Sequence, residues 1–307
     1  MLTLKTKSVS LLLLAVAGLL AAMGWSRGMA DSTGVSPRVE GEANGMAIPV
    51  AGSRERPGSA SGVPSGSRAD FEGASDLYAY VQGLRAQEMA GDAEALWGVS
   101  RVLDYCAAYA ANPTGYAADT RAISELKGSS TAAMAAARDR VGRRCARFVP
   151  ADDFSLSALR AKRFDAASAG SLAAEAALLA MGEPLSGSNE YKQDLVERVR
   201  LSGDPEAYVA ISPAMGIAGS GQEAYLGRIS GTQYSELAWL LAACRLGNDC
   251  SPGGVLMTSY CANGGICSRD SSQDFYAFVL DAGVPRQGAD NLNGMVDSLM
   301  SDIGVAK

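Results

Sequence analysis

From about Asp70 onward, apolar residues recur with the period of a helix. Leu77, Val81 and Leu84 fall on one face. Leu96, Val99, Leu103, Cys106 and Ala110 form a second stripe, and Met134, Ala137, Val141, Cys145 and Phe148 a third. Steps of three and four residues mark a helix face turned to a core. Polar punctuation separates the stripes. Gly91-Asp92 ends one helix and caps the next, and Asn112-Pro113 ends the second stripe. Asp204-Pro205-Glu206 joins a capping side chain to a proline at the first helical position. Pro213 is expected to break that helix early. Further helices are expected at about 117–127, 154–164, 171–181, 191–199, 233–246, 253–262, 272–282 and 291–303. No run of alternating β-branched residues reaches strand length after residue 70. The expectation for residues 70–307 is therefore an all-α body of stacked, short, antiparallel helix pairs, either α-solenoid-like or an irregular helical domain.

The preceding segments read differently. Lys5 and Lys7 precede an uncharged apolar stretch from Val9 to Trp25, followed by the small-residue site Gly28-Met29-Ala30. Basic head, apolar core and small-residue site are the order of a secretory signal. The alternative for residues 1–30 is an uncleaved N-terminal anchor, since the stretch reaches the lower end of the roughly 17–25 residues a span requires. Either way the body is expected outside the cytoplasm, periplasmic or extracellular. Residues 31–69 are rich in Gly, Ser and Pro, as in Ser61-Gly62-Val63-Pro64-Ser65-Gly66-Ser67, and are expected to be a disordered linker.

A short block repeats within the helical part. Gly91-Asp92-Ala93-Glu94-Ala95 matches Gly203-Asp204-Pro205-Glu206-Ala207, and Gly170-Ser171-Leu172-Ala173-Ala174-Glu175-Ala176 is a looser copy. The close copies are about three helix-pair units of roughly 33–37 residues apart. The blocks resemble the start of the first helix in Sel1-like and tetratricopeptide-type repeats. That resemblance implies a concave face for protein partners and no intrinsic catalysis.

Composition narrows the chemistry. The chain has 27 basic and 33 acidic side chains and no histidine. Residues 1–30 hold Lys5, Lys7 and Arg27 and no acid, leaving 24 basic against 33 acidic beyond them, a net charge of −9. This balance disfavours nucleic acid as a partner, and any membrane contact is expected only through the N-terminal anchor. Without histidine, Ser-His-Asp and Cys-His machinery is excluded, together with His-rich zinc sites. No cofactor or metal is expected.

Six cysteines remain: Cys106, Cys145, Cys244, Cys250, Cys261 and Cys267. An even count in an exported chain reads as disulfides. The last four form two C-x2-G-x2-C units, each with its first cysteine in the last turn of a helix. Local pairing, Cys244–Cys250 and Cys261–Cys267, is preferred. Crossed pairing and a four-cysteine zinc site are the alternatives, the latter against the usual spacing of about two to four residues. Cys106 and Cys145 then pair with each other.

Carboxylates are the remaining candidates for catalysis: Glu175, Glu223 and Glu236. Glu175, set among Leu172, Ala173, Ala174, Ala176, Ala177 and Leu178, is the weak candidate for a buried general acid. Tyr78, Tyr80, Trp97, Tyr105, Tyr109 and Tyr116 are expected to pack a core, or to line a groove for a peptide or glycan strand. The functional expectation is an exported, non-catalytic envelope protein that binds or scaffolds a protein partner. The alternatives are a carboxylate-dependent hydrolase of envelope glycan and a structural helical module without a dedicated ligand.

Overall fold

A computed structural model of the chain describes residues 70–303, apart from Leu226 and Asp302. The expected export segment and linker lie outside the described residues. Among those residues every regular element is helical. The first group is α1 (Leu77–Met89), α2 (Ala93–Ala111), α3 (Pro113–Glu125) and α4 (Ser129–Cys145). There follow α5 (Leu156–Ser168), α6 (Leu172–Ala180), α7 (Asn189–Ser202) and α8 (Pro205–Met215). The last are α9 (Gln233–Arg245), α10 (Val255–Ala262), α11 (Phe275–Phe278), extended by a wide turn over Val279–Gly283, and α12 (Ala289–Ser301).

Side-chain caps start most of these helices. Asp92 accepts from the Ala95 amide at 2.8 Å, and Asp204 from the Glu206 amide at 2.9 Å. Such a cap occupies one of the amides that a first turn leaves without a partner. Gly91 and Gly203, at φ 75° and 64°, supply the left-handed residue that ends α1 and α7 just before each cap. Ser171 caps α6 in the same way. The repeated blocks therefore encode one local device, a left-handed stop followed at once by a cap and an acidic first turn.

Pro213 does not end its helix. α8 continues through it to Met215. A proline inside a helix leaves the carbonyl four residues back without its amide donor. Here that carbonyl belongs to Val209, and the Ser212 hydroxyl donates to it at 2.9 Å. The substitute donor explains why the expected early break is absent.

Two cores result. The larger gathers α6, α7, α8, α9, α11 and α12 around the fully buried Trp239 and Tyr208, whose rings lie 4.8 Å apart. The Trp239 indole donates to the Ile229 carbonyl at 2.9 Å, so the ring is buried with its one donor satisfied. The smaller core holds Phe71, Leu77, Tyr105, Val141 and Phe148. α2 belongs to both, giving Leu96 and Trp97 to the first and Val102, Tyr105 and Cys106 to the second. α8 packs between α6 and α9, and α2 between α1 and α5. α4 packs on α10, where Arg140 Nε donates to Thr258 Oγ1 at 3.0 Å across a separation of 118 residues. That contact joins two helices far apart in sequence.

Three disulfides staple the structure. Cys106–Cys145 joins α2 to the last residue of α4 across a Cα separation of 5.7 Å. Cys244–Cys250 and Cys261–Cys267 each close a six-residue loop where α9 and α10 end.

Candidate functional site

A cleft of about 450 Å³ opens where the two cores meet. Its apolar floor comes from Val209, Ala210 and Pro213 of α8 and Leu240 of α9, with Trp97, Tyr105 and Tyr260 on its walls. Four carboxyl groups line it, those of Glu72, Asp104, Glu206 and Glu236, against the guanidiniums of Arg101 and Arg163.

The most ordered wall centres on Arg101. Its Nη1 donates to Glu206 Oε1 at 2.7 Å and its Nη2 to Glu72 Oε1 at 2.8 Å, while its carbon stands 3.8 Å over the Phe71 ring. The Trp97 indole N–H donates to the second Glu206 oxygen. Trp97 and Arg101 are one turn apart on α2, so a single face of one helix holds both oxygens of Glu206. These side chains are 11–15% exposed, so the network works in a poorly hydrated setting. Glu72 Oε2 is buried with no hydrogen-bond partner. Burial pushes the Glu72 carboxyl above the usual range, against the pull of Arg101, and the charge of Asp249 adds to the rise.

Across the cleft, Glu236 stands in the first turn of α9. Its carboxyl rests on Gly216, where an added Cβ would lie 2.7 Å from Oε2. No hydrogen bond or ion pair joins it to another described residue, and burial alone pushes its carboxyl up. Its charge adds to burial in pushing the Tyr260 hydroxyl up. Between the two walls, Arg163 bonds Asp104 at 2.7 Å and the Met181 sulfur at 3.0 Å, while its Nε is buried without a partner.

The Glu236 shift makes a pH-dependent prediction. A carboxyl raised on folding favours the protonated form, so its ionisation lowers stability as pH rises above the unfolded value. Glu236→Gln should therefore stabilise the fold at pH 7, and the gain should vanish below about pH 4, under the free glutamate value. Urea unfolding midpoints of both proteins across that window test this. A gain that persists at low pH would mean the effect comes from packing instead.

The structure places the other sequence candidates elsewhere. Glu175 is buried, but it does not line the cleft. Arg198 grips it with two nitrogens at 2.7 and 2.9 Å, and the Tyr191 hydroxyl donates to it at 2.5 Å. With both oxygens engaged, Glu175 anchors α6 to α7. Glu223 is exposed. Of the early aromatics, Trp97 and Tyr105 line the cleft, while Tyr109 and Tyr116 pack edge to face 5.6 Å apart. Sequence reasoning missed Glu72, Arg101 and Glu206 as site residues. Glu206 stood out only as a helix-start acid, and its partners Trp97 and Arg101 lie far from it in sequence. Comparison of the chain with protein-family models, curated proteins and solved structures finds no match.

Proposed function

We propose that this is an exported, non-catalytic binding module whose cleft takes a short segment of a protein partner, with a lysine or arginine set between apolar side chains. The observation that carries this reading is the cleft's composition, an apolar floor under four carboxyls and two guanidiniums. Sites for such ligands are concave, mostly apolar and orient their occupant with a few polar groups. Among the described residues Glu236 is the acid of the set with no ion-pair partner, and a cationic group beside it would offset the cost of its burial. The acidic balance of the chain favours a basic partner on approach as well. Three disulfides suit an oxidising compartment, periplasmic or extracellular, in keeping with the signal-like residues at the N-terminus.

A displayed library of random peptides tests the proposal. Peptides enriched on the oxidised protein should carry a basic residue flanked by apolar ones. Their affinity should fall about tenfold or more on Glu236→Gln, as loss of a charge-assisted contact implies. Leu240→Trp, which fills the floor, should abolish binding. Enrichment without basic residues, or binding indifferent to both changes, would reject the proposal and favour a structural module without a dedicated ligand.

One observation favours a second reading. A half-buried carboxyl with a raised pKa is what a general acid needs, and envelope glycan would be the substrate. Glycan cleavage lost in Glu236→Gln would establish a hydrolase in place of a binding module. Against this reading, Glu72 and Glu206, the carboxyls of the opposite wall, are both committed to Arg101.

A further inference from the structure

A second cleft, of about 470 Å³, lies between α4 and the loop that leads into α10. Arginines crowd this side of the molecule, and most are accounted for. Arg138 donates to Thr120 at 2.9 Å and stacks 3.8 Å over Tyr116. Arg144 donates to the carbonyls of Phe71 and Ala74. Arg147, just past the helix, pairs with Asp76 at 3.0 Å. Arg140 and Arg143 have no carboxylate partner among the described residues. They stand three residues apart on one helix face, where like charges repel. Both line the second cleft.

Arg140 is held in place there. Its Nε donates to Thr258 Oγ1 at 3.0 Å, and the Thr258 hydroxyl donates in turn to the Gly253 carbonyl at 3.0 Å. A Cβ at Gly253 would stand 3.8 Å from the guanidinium carbon, so the group lies along bare backbone, and no hydrogen bond to another described residue engages its terminal nitrogens. Burial pulls the Arg140 pKa down, and the charge of Arg143 adds to the pull. Neither acid lining this cleft, Glu72 or Asp249, pairs with Arg140 or Arg143 among the described residues. Glu72 pairs with Arg101. Asp249 accepts from the Ser251 amide at 3.0 Å, and its other oxygen rests on Gly254 at the start of α10. The Asp249 carboxylate is thus engaged at the positive end of α10, and no ion pair among the described residues balances the guanidinium pair.

We propose that Arg140 and Arg143 form an oxyanion-binding site that takes a carboxylate or a phosphate group, with the Ser251 hydroxyl as a further donor. Guanidinium forks match the planar pair of oxygens that both groups present. The two sources are a chain-terminal or side-chain carboxylate and a phosphate ester. The site does not depend on what the first cleft binds.

Side-chain Nε–Hε resonances of Arg140 and Arg143 in the oxidised, isotope-labelled full chain test the proposal. Three probes are titrated: inorganic phosphate, trialanine and trialanine amide. Saturable shifts with phosphate alone assign a phosphate ligand, and shifts with trialanine but not its amide assign a carboxylate. Both together assign a general oxyanion site. Arg143→Gln should weaken binding about tenfold, Arg143→Lys less, and Arg147→Gln should leave it unchanged. Far-UV circular dichroism checks that each variant is folded. The proposal is overturned if neither phosphate nor trialanine gives a saturable shift, if the amide titrates as well as the acid, or if folded Arg140→Gln and Arg143→Gln variants bind as tightly as the parent.

Discussion

Replacing Arg101 by alanine is expected to cost about 3–5 kcal/mol of stability at pH 7, the usual loss when one partner of a buried ion pair is removed. The guanidinium holds two carboxylates at once, Glu72 at 2.8 Å and Glu206 at 2.7 Å, and their side chains are only 13% and 11% exposed. Without it, both acids keep their desolvation cost and gain mutual repulsion. The stacking on Phe71 is lost as well. Protonation of Glu72, whose carboxyl burial already pushes up, relieves the repulsion, so the deficit should shrink as the pH is lowered. Replacing Arg101 by Met together with Glu72→Gln and Glu206→Gln should recover most of the stability, because no buried charge is then left alone. Chemical unfolding of the single and triple variants at pH 7 and pH 4.5 measures these differences. A loss below about 1 kcal/mol for Arg101→Ala would place the network in the class of hydrated surface pairs.

The same network shows where sequence reasoning stops. Helix starts were legible because capping is local. Asp92 and Asp204 each reach an amide two or three residues away. Asn112 was expected only to end α2, yet it also caps α3 through the Gly115 amide, so that helix starts at Pro113 rather than near residue 117. The stripes on α2 and α4 were legible for the same reason, since their period depends on each helix alone. The cleft depends on which helices meet. Arg101 and Glu206 are 105 residues apart, and Trp97 and Glu206 109. No spacing rule connects them, and Glu72 lies before α1, where no apolar stripe draws attention to it. Glu175 stood out because its neighbours in sequence are apolar, but the partners that decide its role, Tyr191 and Arg198, come from the next helix. Pro213 shows the reverse case. The rule that a proline breaks a helix holds unless a nearby hydroxyl replaces the missing donor, as Ser212 does.

Replacing Cys106 and Cys145 together by alanine should cost about 4 kcal/mol in the chain-entropy model, given their separation of 39 residues. The six-residue loops of the other two bridges give only about 2 kcal/mol each in the same model. Packing widens the gap. Both Cys106 and Cys145 are fully buried in the smaller core, so truncating them also leaves a void. Cys250 and Cys267 are half-buried, so a reductant reaches their bridges first. Stepwise reduction with alkylation and mass mapping should release these two bridges while Cys106–Cys145 persists until the chain unfolds. Early loss of the buried bridge, or a smaller cost for its removal than for a local one, would refute this ordering. The consequence reaches the site. Tyr105 adjoins Cys106 on α2 and belongs with Phe71 to the core that the long bridge closes, and both side chains line the first cleft. In a reducing compartment that core would lack its strongest cross-link. Oxidation is thus expected to precede a fully formed site, and ligand binding should fall when the long bridge is removed.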